Sequence, residues 1–478
     1  MPTILLILAL QTQMTGSVAG VVRDTVGRPI SYAAVTVSAS RRTMADSLGQ
    51  YRIDSVPVGR LAVSIRRVGF RMRVDTVVIQ PGAETRATFV LHPAPGIGQV
   101  VEDDYATPAK SSPNYDGFSV GLFREVTRAA PDSNVFLSPA SAAFALAMTY
   151  DGAGGETETA MAHALGVDGA TPEQLGPENA KLLKSLGEQK DVQLSIANSI
   201  WASAGKPFLR SFLESTRKDY RAEVRSMVLH GPAAQHEIND WVAKATHDKI
   251  QTLLADTLPD ETAMVLLNAV YFKGLWKDKF DSAATRPHPF ALAGGRVVSR
   301  KLMFRHEGMQ YRRGQNFQAV RLPYKGDRIA MYVFLPDSGV PLADVATTID
   351  TAKFSRVQMR LGLPKFHVEY ETVLNDPLKA LGMEVAFDRQ RAEFSRMLPR
   401  AFLRDSNAFI SQVVQKTYVV VDEQGTEAAA ATGVMMAVQA SFHRDPEMIV
   451  DRPFIMTIRD DRTGLILFVG QINDPTQR

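Results

Sequence analysis

The sequence predicts a small all-β sandwich followed by a large α+β domain, and three observations carry that expectation. Short β-branched or alternating runs, with turn residues between them, fill residues 15–92. From residue 114 onward, helical periodicity is concentrated early and strand-like runs late. Near the C-terminus, Glu423–Ser441 has no proline, no charge after Glu427, and small, β-branched or apolar residues at every even position from Thr426 to Val438. A strand slotting one face into a packed sheet needs that alternation. Its four consecutive alanines also suit a helix, which Gly425 and Gly433 weaken, so composition leaves helix and conditional strand both open.

At 478 residues the chain has room for two or more domains. Its 45% hydrophobic and 22% charged residues are ordinary for a globular protein with a sizeable core. The absence of cysteine excludes disulfides, thiol catalysis and Cys-ligated metals. The apolar run Ile4–Leu10 is too short to span a bilayer and fits the core of a signal peptide, although no Lys or Arg precedes it. Residues 1–14 are therefore expected to be a leader, and the protein secreted or periplasmic. No later stretch is long and apolar enough to be a transmembrane segment.

In residues 15–92, strands are expected at Gly20–Val22, Ala34–Val37, Tyr51–Ile53, Leu61–Ile65, Thr76–Ile79 and Ala87–Leu91. This segment holds eleven Arg, no Lys and five acids, a net charge of +6. Such a surface suits a polyanion or a cell surface, or is simply a solvated face. Residues 93–113 read as a flexible Pro-, Gly- and Ser-rich linker with the acidic cluster Glu102-Asp103-Asp104. Beyond it, helices are expected at Phe118–Ala129, Ser141–Tyr150, Glu156–Leu165, Pro207–Tyr220 and Gln235–Ile250. Strands are expected at Ile196–Trp201, Ala263–Phe272, Ala319–Leu322, Ile329–Leu335, Val357–Leu361, Thr417–Asp422, Met448–Val450, Phe454–Arg459 and Leu465–Gln471.

The pattern G-x-V-x-D-x-x-G-x-P-I from Gly20 to Ile30, with D-S-L-G-Q-Y-R-I further on, resembles the carboxypeptidase regulatory-like, transthyretin-type domain. Residues 114–478 resemble a serpin along their whole length. Asn134-Val135-Phe136-Leu137-Ser138-Pro139-Ala140-Ser141, Asn268-Ala269-Val270-Tyr271-Phe272-Lys273-Gly274 with Trp276, Leu363-Pro364-Lys365-Phe366 and Arg452-Pro453-Phe454 are among the matching segments. Glu423-Gln424-Gly425-Thr426-Glu427, followed by Ala428, Ala429, Ala430, Ala431 and Thr432, looks like the hinge of a serpin reactive-centre loop. The fold implied is a large central β-sheet with helices and an exposed reactive-centre loop, preceded by the small all-β sandwich.

The activity implied is suicide-substrate inhibition of a serine protease, not catalysis. The protease cleaves the loop, is trapped as an acyl-enzyme, and the loop inserts into the central sheet. A non-inhibitory serpin acting as a binding module is the alternative. The hinge needs a residue free to bend, Gly425, and a face without charge, met at Thr426 and Ala428. Roughly a dozen ladder bonds at about 1 kcal/mol each would drive insertion. Counting seventeen residues from Glu423, as in inhibitory relatives, puts the scissile bond at Gln439–Ala440. Met436, Ala437 and Val438 point to an elastase-like or subtilisin-like target, with the register open by one or two residues. The resemblance also implies a sheet-opening region at Ser138, Ser141, Asn268, Trp276 and Gln415. There the family usually has a histidine in place of Gln415, so a glutamine, which both donates and accepts, would keep the latch and lose its pH sensitivity.

Other chemistry finds little support. Gly117-Phe118-Ser119-Val120-Gly121 satisfies G-x-S-x-G but follows a polar linker where a nucleophile elbow needs a strand, so it reads as a helix start with Asp116 as cap. The nine histidines form no metal motif; His163, His236, His247, His306 and His443 read as surface or satisfied residues. No phosphate-binding or dinucleotide fingerprint is present, so no cofactor, metal or nucleic-acid partner is expected.

Overall fold

A computed structural model describes residues 15–92 and 113–476, apart from 31, 39–40, 47, 68–69, 71–72, 190, 205–206, 261, 263, 347–348, 350–353, 400–407 and 427–444. Two compact units divide the chain near residue 105.

The N-terminal unit carries eight strands: β1 (Thr15–Asp24), β2 (Ala34–Ser38), β3 (Arg41–Met44), β4 (Gln50–Pro57), β5 (Gly59–Arg66), β6 (Arg73–Ile79), β7 (Glu84–Arg86) and β8 (Phe89–Leu91). They form two sheets, one ordered β4-β1-β7 with β8 also on β1, the other β3-β2-β5-β6. Val18, Val22, Val35, Ile53, Val63 and Ile65 alternate into the core. The Tyr51 ring stacks on Phe89 at 5.8 Å, and its hydroxyl donates to the Ala87 carbonyl at 2.6 Å. Two D-x-x-G turns repeat the same physics. Asp24 accepts from the Val26 and Arg28 N–H groups, Asp46 from those of Leu48 and Gln50, and Gly27 and Gly49 supply positive φ of 84° and 71°. Strand β3, R-R-T-M, lies outside the expected set because its arginines break the β-branched signal.

The larger unit begins with helix α1 (Asp116–Ala129), strand β9 (Val135–Leu137), and helices α2 (Pro139–Tyr150), α3 (Gly155–Leu165) and α4 (Pro172–Gly187). Strand β10 (Val192–Ser203), helix α5 (Arg210–Tyr220), strand β11 (Glu223–Met227) and helix α6 (Pro232–Ala245) follow. The rest is mostly strand: β12 (Met264–Leu275), β13 (Arg286–Ala291), β14 (Val297–Arg313), β15 (Phe317–Pro323), β16 (Ile329–Pro336), β17 (Ser355–Pro364), β18 (Phe366–Val373), β19 (Gln412–Val421), β20 (Gly425–Thr426), β21 (Glu447–Ile449), β22 (Phe454–Asp460) and β23 (Ile466–Ile472).

One sheet runs β11-β10-β12-β20-β19-β18; a longer one runs β21-β17-β14-β15-β16-β22-β23-β9, with β13 on β14. Helix α2 has no charged side chain and is buried all round, as a helix within a core must be. Helix α4 was missed because Gly176 and Pro177 interrupt its periodicity; its start is held by a capping box between Thr171 and Gln174. Strand β14 lies outside the expected set because its lysine, arginines and glutamate break up the apolar signal, although Leu302, Met303, Phe304 and Met309 are buried. Asp116 is not the cap of α1: Tyr115 holds that position, and the Asn114 side chain accepts from the Asp116 N–H at 2.9 Å. Asp116 sits one step inside, where its charge still suits the helix dipole.

At the end of α2 a carboxylate is buried. Asp151 follows the helix C-terminus, accepts from the Tyr220 hydroxyl at 3.3 Å, and neighbours Asp219. Burial pushes its pKa up to about 8, the Tyr220 hydrogen bond opposing and the Asp219 charge adding. A raised carboxyl pKa stabilises the fold at low pH, and that contribution declines as pH rises from about 4 to 8. Asp151→Asn is therefore expected to flatten the loss of thermal stability between pH 4 and 8, measured by calorimetry on both proteins.

Candidate functional site

The centre of the six-stranded sheet is a pair of parallel neighbours. Residues 265–271 of β12 pair directly with 412–418 of β19. Beneath them the first turn of α2 supplies small hydroxyl side chains because bulk there would separate helix and sheet. Gln415 spans this junction: its Oε1 accepts from the Ser138 N–H at 2.9 Å, and its Nε2 donates to the Ser138 carbonyl at 3.0 Å and to Asn268 Oδ1 at 2.7 Å. Asn268 Nδ2 donates to Ser141 Oγ and, at 2.5 Å, to Asn198 Oδ1. Ser138 Oγ donates to the Leu467 carbonyl at 2.7 Å, tying in the second sheet. Gln415, Asn268, Ser138 and Ser141 are all buried. The amide uses both ends here, and the bonds need no proton uptake.

At the other end of β12 and β19 the pair is prised apart. Strand β20 enters antiparallel to both, with Thr426 opposite Gly274 on β12 and Val421 on β19. Thr426 is fully buried and its hydroxyl bonds to that of Tyr324 at 2.6 Å. A Cβ on Gly425 would lie 2.1 Å from the Gly274 carbonyl oxygen, so glycine is required by close approach. Trp276 stands at this end, not beside Asn268 and Gln415 with which the sequence grouped it. Its Nε1–H donates to the Asp422 carbonyl at 2.9 Å and its ring stacks on Tyr324 at 4.6 Å.

Glu423 anchors the approach, pairing with Lys365 at 2.7 Å and accepting from the Thr285 hydroxyl at 2.8 Å. Burial opposes its charge, but the hydrogen bond from Lys365, with that of Thr285, holds the carboxyl below its ordinary range. Tyr324 and Thr285 gave no sequence signal. Lys365 stood in a quoted segment, but only the fold brings it to Glu423.

Glu427, Ala428, Ala429, Ala430, Ala431, Thr432, Gln439 and Ala440 lie outside the described residues, as does His443. Ser119 of the G-x-S-x-G segment is buried within α1 and donates to the Tyr115 carbonyl at 2.8 Å. His163, His236 and His306 each lie near one carboxylate, of Asp168, Asp240 and Asp445. Among the described residues no three metal-binding side chains gather.

A family model described as serpin (serine protease inhibitor) matches residues 113–475, and one described as carboxypeptidase regulatory-like domain matches residues 17–92. Glia-derived nexin of Mus musculus is 32% identical over 375 residues, covering 74% of this chain and 91% of the relative. Leukocyte elastase inhibitor of Bos taurus is 34% identical over 377 residues, covering 75% and 97%. The crystal structure of human thyroxine-binding globulin superposes with a TM-score of 0.69 at 27% identity, covering 77% of this chain and 98% of that one.

The bridge makes a testable statement. Gln415→Ala removes three hydrogen bonds and leaves buried groups on Asn268 and Ser138 short of partners. It should cost about 3 kcal/mol in denaturant unfolding. Gln415→His should add a step absent from the parent: a buried imidazole resists charging, so stability falls as pH drops below about 6.5.

Proposed function

The chain belongs to the serpin family and carries a carboxypeptidase regulatory-like domain ahead of it, and on that premise we propose that it is a suicide-substrate inhibitor of serine proteases. The observation that carries this reading is β20, the hinge already seated between β12 and β19 at one end. Its register can be continued by counting. Six residues beyond Thr426, Thr432 would come opposite Asn268 on one side and Gln415 on the other. Insertion would then break the Gln415–Asn268 bond and offer the Thr432 hydroxyl in its place, so the buried amides are not orphaned. The same register gives the alternate partners to Ala428, Ala430, Val434 and Met436, none of them charged.

We place the scissile bond at Gln439–Ala440 and favour an elastase-like or subtilisin-like protease, supported by Met436, Ala437 and Val438 and by the likeness to leukocyte elastase inhibitor. The hinge is Glu423, Gly425, Thr426 and the run from Glu427 to Thr432; Ser138, Ser141, Asn268 and Gln415 form the latch that insertion must open, and Trp276 braces its hinge end. Residues 1–14 are proposed as a leader directing secretion, 15–92 as the sandwich, 93–113 as a linker and 114–478 as the inhibitory domain. No described helix is long and apolar enough to cross a membrane. For the sandwich we propose contact with a polyanion or a surface, on its net charge of +6 over residues 15–92. The likeness to thyroxine-binding globulin supports the alternative, a non-inhibitory serpin serving as a binding module.

The test is incubation with a subtilisin, an elastase and a trypsin, followed by denaturing electrophoresis and mass spectrometry. A complex that survives denaturation, with a released peptide beginning at Ala440, is expected for elastase or subtilisin. Thr426→Arg, placing a charge at a fully buried site, should turn the inhibitor into a substrate that is cleaved without trapping. Clean turnover of the parent protein would transfer the function to the binding module, and strong inhibition of trypsin alone would overturn the target assignment.

A further inference from the structure

The two sheets of the N-terminal unit carry different charges on their outer faces. On the outer side of β4-β1-β7, Arg52 pairs with Asp54 and Glu84, and Arg86 lies 3.4 Å from Glu84. On the outer side of β3-β2-β5-β6 the charged residues are Arg42, Arg60 and Arg66, all exposed, and the outward strand positions carry no carboxylate. Asp46 accepts the Leu48 and Gln50 N–H groups in its turn, and Asp75 stands on the inward-facing register of β6, paired with Arg73.

Register lays this face out as a plate. Arg42 neighbours Thr36, which neighbours Ser64, which neighbours Val74. Arg66 neighbours Ala34, Ala62 neighbours Thr76, and Arg60 neighbours Val78. The middle is thus small and hydroxyl-bearing, with the guanidinium groups around it. Arg60 and Arg66 are six residues apart on β5, about 20 Å at roughly 3.3 Å per residue, a distance that a single small anion does not bridge. Tyr32, 56% exposed just before β2, closes one end with the Arg67 guanidinium 6.0 Å from its ring centroid.

We propose that this face of the N-terminal unit binds a linear anionic glycan, one bearing sulfate or carboxylate groups. The proposal rests on the reading of this unit as a polyanion contact and narrows it to one sheet and one partner. Guanidinium forks match sulfate and carboxylate geometry, and this unit uses arginine to the exclusion of lysine. Thr36, Ser64 and Thr76 offer hydroxyls to sugar oxygens, and Tyr32 offers a ring face at the end of the track. Single-stranded nucleic acid needs aromatic rings for successive bases, and Tyr32 is the one exposed Phe, Tyr or Trp among the described residues of this unit. A membrane surface calls for a cluster of Trp, Phe or Leu to insert, whereas the exposed apolar side chains on this face are Met44, Val74 and Val78, and the one exposed leucine among the described residues of the unit, Leu48, sits in the turn between β3 and β4.

The experiment uses the full chain and size-defined dextran sulfate, with neutral dextran as control, in titrations over a range of salt. Dextran sulfate should bind and neutral dextran should not. The triple variant Arg42→Gln, Arg60→Gln, Arg66→Gln should lose at least roughly tenfold in affinity and lower the salt slope by about three, one per guanidinium. Arg52→Gln with Arg86→Gln, on the opposite sheet, should leave binding unchanged. Equal binding by the triple variant, or tighter binding to poly(dT) or to phosphatidylserine vesicles than to dextran sulfate, would overturn the proposal. Protease trapping is measured on the same preparations and should be the same in the triple variant as in the parent, so a failed glycan assignment is distinguishable from a failed inhibitor assignment.

Discussion

On the proposed mechanism, the larger unit turns on one pair of strands that are bonded to each other and would have to separate. Direct pairing of β12 with β19 gives the sheet its continuity, and β20 shows that the same two edges accept a third strand at one end. A sheet with an unpaired internal edge would present bare N–H and C=O groups, which is costly in a core and hazardous at a surface. Here the edges satisfy each other. The structure therefore stores no open slot, only a boundary between bonded and separated stretches that lies just below Thr426.

Where that boundary rests is a matter of competing local attachments. On the closed side, Gln415 ties β19 to Asn268 of β12 and to the first turn of α2, and Ser138 passes the tie on to β23. On the open side, Glu423 is held by Lys365 and Thr285, Trp276 bonds the Asp422 carbonyl, and Thr426 shares a hydroxyl bond with Tyr324. If the strand lengthens as proposed, the first set would oppose further entry and the second would oppose withdrawal. None of the latch bonds involves a histidine, so acid has no direct handle on them.

Much of the fold was legible in the sequence because its signals are local. Alternation marked β5, near-continuous apolar runs marked β16 and β22, and the spacing of apolar residues marked α1 to α3. Of the expected hinge, Glu423, Gly425 and Thr426 fall within the described residues, and the bonded cluster of Ser138, Ser141, Asn268 and Gln415 was named through family resemblance. What was not legible is what three dimensions bring together. Trp276 was grouped with Asn268 through the family resemblance of the segment they share, but eight residues of extended strand carry it some 26 Å away at about 3.3 Å per residue, to Tyr324. Glu423 and Lys365 lie far apart in sequence and meet only because β18 and β19 pair. Charge-rich strands such as β3 and β14 hid because their outward side chains dominate the composition.

The longer sheet has one more consequence, for the integrity of the molecule. Every described residue after the loop belongs with it: β21 is bonded to β17, β22 to β16, and β23 to β22 and β9. Asn134 adds hydrogen bonds to Asn473 and Asp474 beyond the last strand. A backbone cut between residues 427 and 444 would thus give two polypeptides and a single particle, a nicked heterodimer whose short partner is core rather than appendage. It would migrate intact on gel filtration, fall apart only in denaturant, and be open to reconstitution from its two fragments.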